Sequence, residues 1–363
     1  MMLKPLLIAW LFTVSTGYIS AMYFMADMLQ TSKSNAQQEH RARLDPTADE
    51  TGRTGVDARA LDGIDHSEQI SVETGIYVDR IPRLSMPDTN WTVDFYLWFR
   101  WSDREISPGQ NFHVIDGEIL KKELKTRYDD SVTRYELYRV TARISKFFNV
   151  ARFPRDDHLL ALRIEDAQNQ IGKMIFVPDV SGSAVSSRVK IPGYEIYDST
   201  IVQKPHSYKT RRGDPRLAEG YQATYSQLVY GIAIKEPGWA LYIKMFLGTF
   251  ASVAICLLSF LIGPAHTGPR FSVSIGAFFA AIASTYVVSR LIPKTGTVGL
   301  TDFVTGASLV TIFLAVLTST MTLKIGEVTG EAQLQRRFDI AALLVFLIGY
   351  ISLNIVIAQA ASI

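Results

Sequence analysis

The sequence predicts an extracytoplasmic all-β sandwich followed by a four-helix transmembrane bundle, with one more apolar helix at the N-terminus. Three observations lead there. The 363 residues are 48% hydrophobic with a mean hydropathy of +0.12, too apolar for an ordinary soluble chain and too polar for a pure membrane bundle. The apolar residues are sorted into five long runs, one at the start and four at the end. The stretch between them is rich in aromatic and β-branched residues, which favour strands.

The first run, Leu6 to Ala26, carries no charge before Asp27. That is about the 20 residues a helix needs to cross a bilayer. Two readings stay open: a cleaved signal peptide cut after Ala21, or a retained signal anchor. The length of the run and Ile19 ahead of Ala21 favour the anchor, so residues 1–28 are assigned to an N-terminal membrane helix. Residues 29–69 are polar, with few large apolar side chains to offset ordering entropy, and read as a linker.

Residues 70–235 read as the sandwich. Trp91–Trp101, Tyr135–Val150, His158–Ile164, Tyr194–Val202 and Tyr221–Ile234 have strand character. Turn signals such as Pro192-Gly193 separate them. Only Glu118–Arg127 suggests a short helix.

Residues 236–363 hold four apolar runs: Trp239–Ile262, Phe271–Ser289, Phe303–Leu323 and Ile340–Ala358. Lys244 is the one charge within them, placed to snorkel. With Lys4 inside, Arg270, Lys324, Arg336 and Arg337 share its side, while Arg290 and Lys294 lie opposite. The positive-inside rule then puts the sandwich outside, and a bacterial inner (plasma) membrane is the expected location.

Net charge is +2, so no basic field points to nucleic acid. The single cysteine, Cys256, excludes an intramolecular disulfide and lies in an apolar run, as a buried thiol would. No Gly-x-Ser-x-Gly, His-Glu-x-x-His or phosphate-cradling loop is present, and the six histidines show no metal-ligand spacing. No enzyme activity, cofactor or metal is expected. Asp129-Asp130 reads as a surface turn rather than a cation site.

Three stretches, in order and at matching spacing, resemble the pentameric ligand-gated ion channels, the Cys-loop receptor superfamily, in their prokaryotic form. They are Trp101-Ser-Asp103, Phe153-Pro-Arg-Asp156, and Arg270-Phe-Ser-Val-Ser-Ile through Ser289-Arg-Leu-Ile-Pro293. The resemblance covers roughly residues 70 to 360. Departures are the absent cysteine pair, Lys235 in place of an arginine, a short Lys324–Asp339 connection, and the N-terminal helix with its linker.

The resemblance implies a homopentamer in a lipid bilayer. Counted back from Pro293, it implies a pore stripe of Ser272, Gly276, Phe279, Ala283, Tyr286 and Arg290. Five Phe279 rings would form a hydrophobic gate. Five Arg290 side chains at the outer mouth would favour anions, and no carboxylate precedes the helix at Gly268-Pro269-Arg270. Periodicity alone also permits an ordinary packed helix. Phe153, Pro154, Asp156, Lys235 and Pro293 are the expected coupling residues, with Asp156 facing Lys235. For an unknown small-molecule or ion ligand bound between subunits, Tyr96, Tyr208, Arg211, Arg212 and Tyr221 are the candidates. The aromatic box is incomplete, and a solvated basic loop is the plainer reading of Lys209–Gly220. The alternative function is a non-conducting receptor or scaffold that binds a partner protein through the N-terminal helix or linker.

Overall fold

The computed structural model describes residues 3–47, 69–130, 132–208, 210, 215, 223–293 and 296–362. The chain divides into a helical unit (Met1–Ser34, Asn149–Asp156, Gly238–Ile363) and a β unit (Asn35–Phe148, Asp157–Pro237).

In the β unit, one sheet has the order β4-β5-β2-β1-β7: β4 (Gly117–Asp129), β5 (Arg134–Ser145), β2 (Asn90–Trp101), β1 (Ile70–Ser85) and β7 (Met174–Pro178). The short β8 (Ala184–Val185) also pairs with β1. The second sheet is β3 (Phe112–Ile115), β6 (Asp157–Asp166), β10 (Thr224–Lys235) and β9 (Glu195–Ser207). Alternation on β2 sends Val93, Phe95, Leu97 and Phe99 inward and leaves Tyr96 and Trp98 on the outer face. On the second sheet Leu160, Leu162 and Ile164 lie beside Ile232, Tyr230 and Leu228 on one buried face. The sheets meet where Phe99 and Phe112 rings stand 5.5 Å apart.

Among the described residues five helices are long and apolar enough to cross a membrane. They are α1 (Leu3–Leu44), α2 (Ala240–Leu258, extended by the 3-10 turn Ser259–Leu261), α3 (Thr267–Ser289), α4 (Leu300–Thr329) and α5 (Ala332–Ala361). Within the helical unit α1 packs on α4 and α5. Trp10 Nε1 donates to Thr318 Oγ1 at 3.0 Å, and the Tyr18 hydroxyl meets Thr311 Oγ1 at 2.8 Å. Gly349 makes room for the Tyr18 ring: a Cβ there would lie 2.5 Å from it.

Three expectations are corrected. Glu118–Arg127 is not helical but forms the body of β4, paired along β5. Its Lys and Glu residues are helix formers by propensity. Here they blunt an edge strand, and cross-strand pairing overrides the local preference. Residues 29–44 continue α1 instead of opening a linker; residues 48–68 of that expected linker lie outside the described residues. Tertiary contacts in the β unit hold the polar helix end. Leu44 covers Gly231, where a Cβ would sit 2.7 Å from its Cδ2. His40 Nδ1 lies 3.3 Å from Asp157 Oδ2, and Lys204 Nζ donates to the Ala42 carbonyl at 3.0 Å, serving the last turn as a C-cap. The connection expected over Lys324–Asp339 shrinks to Gly330 and Glu331, with Gly330 in the left-handed conformation (φ 64°) that ends α4.

Candidate pore stripe and coupling loop

Helix α3 buries one face. Arg270, Ser274, Ala277, Ala281 and Val288 are all buried. At about 100° per residue these five share one side of the helix. Ser272, Gly276, Phe279, Ala283, Tyr286 and Arg290 fall on the opposite side, and every one of them is exposed. Phe279 is 65% exposed and Tyr286 59%, so the described residues leave the greater part of both aromatic side chains uncovered. The Arg290 guanidinium stacks 4.6 Å over the Tyr286 ring and donates to its hydroxyl, so the last two positions of the stripe are tied together. Ile275 and Ile282 flank the stripe on one side and Val287 on the other, all exposed.

Arg270 is fully enclosed. Its Nη1 and Nη2 donate to the two carboxylate oxygens of Asp339 on α5 at 2.9 and 2.6 Å. Thr322 Oγ1 on α4 adds a bond to the same carboxylate at 2.9 Å. The bidentate geometry and the extra donor offset much of the cost of burying the charge pair, with the guanidinium Nε left without a hydrogen bond among the described residues. The sequence reading placed Arg270 at the end of the helix as an inner-side charge. Its partner 69 residues away is visible only in the fold.

The Phe-Pro-Arg-Asp stretch lies in the segment Asn149–Asp156, which joins β5 to β6 and belongs to the helical unit. Phe153, Pro154 and Asp156 are buried. The Ala151 carbonyl accepts from Leu300 N at 2.8 Å, at the start of α4. A Cβ at Gly299 would lie 2.5 Å from that carbonyl oxygen, so glycine permits the close approach. Arg155 donates to the Gly238 carbonyl and stacks 5.0 Å over Trp239, ahead of α2. Arg152 Nη1 donates to the Ala361 carbonyl at the end of α5, at 3.1 Å. Val150 and Pro293 line a common cavity of about 260 Å³. One eight-residue segment therefore touches the starts of α2 and α4 and the end of α5, and shares a cavity with the residues after α3. Lys235 belongs to the β unit, where its ammonium stands 5.4 Å over the Tyr197 ring.

Among the ligand candidates, Arg211, Arg212 and Tyr221 lie outside the described residues. Tyr96 is half-buried on the outer face of the first sheet, with the Arg139 guanidinium 5.7 Å over its ring. Tyr208 follows β9 and donates to Glu165 Oε2 at 3.0 Å, on the outer face of the second sheet. The two tyrosines thus occupy opposite outer faces of the sandwich and do not meet within one chain. Glu165, fully buried, also accepts from Gln227 Nε2 at 2.7 Å and contacts His206 Nδ1 and, at 4.0 Å, His113 Nε2. Sequence reasoning missed this cluster because only the register of four strands assembles it.

Asp129 and Asp130 behave as turn residues. Asp129 pairs with Arg134 at 2.9 Å, and Asp130 accepts the backbone N–H groups of Val132 and Thr133. These bonds hold both carboxyls below the usual carboxylate range. Among the described residues no cluster of three or more His, Cys, Asp or Glu side chains is arranged for a metal ion.

No family model matches the chain, and no curated protein matches it significantly.

Proposed function

We propose that the chain is the subunit of a homopentameric, ligand-gated ion channel in the bacterial inner membrane, with the β unit on the extracytoplasmic side and α3 lining the pore. The observation that carries this reading is the α3 stripe. The register counted from Pro293 falls on the one face of α3 that the bundle leaves uncovered. Small residues at its start leave room for an ion, Phe279 narrows it at mid-depth, and Arg290 sets a positive charge at its far end, which favours anions. The apolar flanks of α3 suit contacts with neighbouring subunits. The loop Asn149–Asp156 supports coupling, because its contacts reach the ends of several helices at once. Ligand binding at the β unit would bias two arrangements of those ends. Tyr96 and Tyr208 on opposite faces of one sandwich suit a ligand held between two subunits.

The test is thiol accessibility and current on the reconstituted protein. In a Cys256→Ser background, cysteines at Ser272, Gly276, Phe279 and Ala283 should react with a water-soluble thiol reagent and alter the current. Cysteines at Ala277 and Ala281 should stay silent. A monomer by native mass measurement, or no reactivity along the stripe, overturns the proposal. A stable pentamer without conductance selects instead a receptor or scaffold that binds a partner protein.

A further inference from the structure

The β unit contains a cavity that the channel reading does not use. It measures about 420 Å³, near the lower end of the roughly 300–1,000 Å³ typical of small-molecule sites. Arg43 from the end of α1, Ser145 and Lys146 from the end of β5 and just beyond, and Arg163 from β6 surround it, with Thr89 and Asp116 contributing from two turns. Among the nine described lining residues three are cationic and one is acidic. That acid is engaged: Arg163 Nη1 donates to Asp116 Oδ2 at 2.9 Å. Arg43 is bonded to Glu39 one turn earlier in α1.

Lys146 is the crux. Its Nζ stands 5.3 Å from the centroid of the fully buried Phe148 ring. The charged groups that act on it are Arg43 and Glu39 from α1 and Arg163 from β6. Burial, then the two guanidinium charges, push its ammonium down to about 7. A half-buried ammonium that shares a cavity with two guanidinium groups, with Glu39 offsetting only part of their repulsion, costs stability until an added anion compensates it.

We propose that this cavity is a binding site for a small anion bearing carboxylate or phosphate oxygens, gripped by Arg43, Lys146 and Arg163. With Arg43 held by Glu39 and Arg163 by Asp116, the three cations face two acids, and the ammonium of Lys146 is the charge left to balance. The planar guanidinium forks match paired oxygens, and the ammonium supplies a movable point charge. The site depends on the α1 tail, which contributes Arg43, and it stands whether or not the chain conducts ions.

Isothermal titration of the full-length protein in detergent tests it, with succinate and inorganic phosphate in separate arms. Succinate is a dianion at both about pH 6.5 and about pH 8.5, so it reports the protein's own titration. Saturable binding of at least one anion is expected, and the better of the two names the oxygen chemistry. At the lower pH Lys146 is mostly charged before binding. At the higher pH the ligand must draw in a proton, so succinate affinity should fall about tenfold. Lys146→Arg keeps its charge throughout and should flatten that profile. Lys146→Met should lose about tenfold in affinity at the lower pH while the melting temperature without anion holds or rises, because a penalised ammonium has been removed. Absence of saturable heat with both anions overturns the site. Unchanged affinity in Lys146→Met, or an unchanged pH profile in Lys146→Arg, overturns it equally.

Discussion

Helices α1 and α3 keep the least of their apolar length covered among the five, yet they turn different chemistry outward. On α1 the large exposed side chains are Leu6, Ile8, Phe12, Ile19, Tyr23 and Phe24, with the smaller Thr13, Thr16, Gly17 and Ser20 exposed among them, and from Leu6 there is no charge until Asp27. On α3 the outermost line runs Ser272, Gly276, Phe279, Ala283, Tyr286, Arg290. A surface that meets hydrocarbon is satisfied by any large apolar side chain and gains nothing from serine, glycine or arginine. A surface on a shared axis is limited instead by space and by water. Both helices expose small and polar residues beside large apolar ones, so what sets the α3 line apart is the Arg290 guanidinium at its end, where the apolar run of α1 carries no charge.

The comparison can be broken or sharpened by substitution. The largest effect belongs to the covered face of α3. Arg270→Ala strands the Asp339 carboxylate and should destabilise the protein by about 3–5 kcal/mol in denaturant unfolding. Arg270→Met combined with Asp339→Leu should recover more than half of that loss, because the pair is then replaced rather than broken. A single variant as stable as the parent would mean that α3 does not pack on the face described.

Next is the seat of α1. Gly349→Val pushes a side chain into the Tyr18 ring and should cost about 1–3 kcal/mol. Adding Tyr18→Ala should be non-additive, since the two residues touch. Additive losses would separate α1 from α5.

Two smaller changes in stability separate the outward faces. Phe279→Ala should alter stability by no more than about 0.5 kcal/mol yet raise the standing current across a reconstituted bilayer. Ile8→Ala should be just as mild in stability, within about 0.5 kcal/mol, and leave the current unchanged. Equal effects of the two on current would erase the distinction between the faces.

Much of this was legible in the sequence for identifiable reasons. The strand β2 announces itself because Val93, Phe95, Leu97 and Phe99 alternate with more polar neighbours. The five long helices announce themselves because apolar runs of that length have few other uses. The line from Ser272 to Arg290 was expected from the resemblance, which supplied its phase counted back from Pro293, and the structure shows that line to be exposed. The misreadings share one cause. The helix suggested at Glu118–Arg127 and the linker beginning at residue 29 were judged on local composition, whereas β5 and the sheet surface around Gly231 decide them from a distance. No local signal links Arg270 to Asp339, or Glu165 to His206 and Gln227.

The sequence by itself determined the segregation: which stretches are apolar enough to leave water, which alternate as strands, and which face of a helix carries which residues. These properties follow from the order of side chains along a chain of fixed geometry. Tertiary structure alone decided which face of α3 is covered, where the charge of Arg270 finds its partner, how far α1 remains helical, and that Arg43, Lys146 and Arg163 surround one cavity. Each of those outcomes depends on groups far apart in the chain. Burial and electrostatics act through space, where separation along the sequence carries no weight.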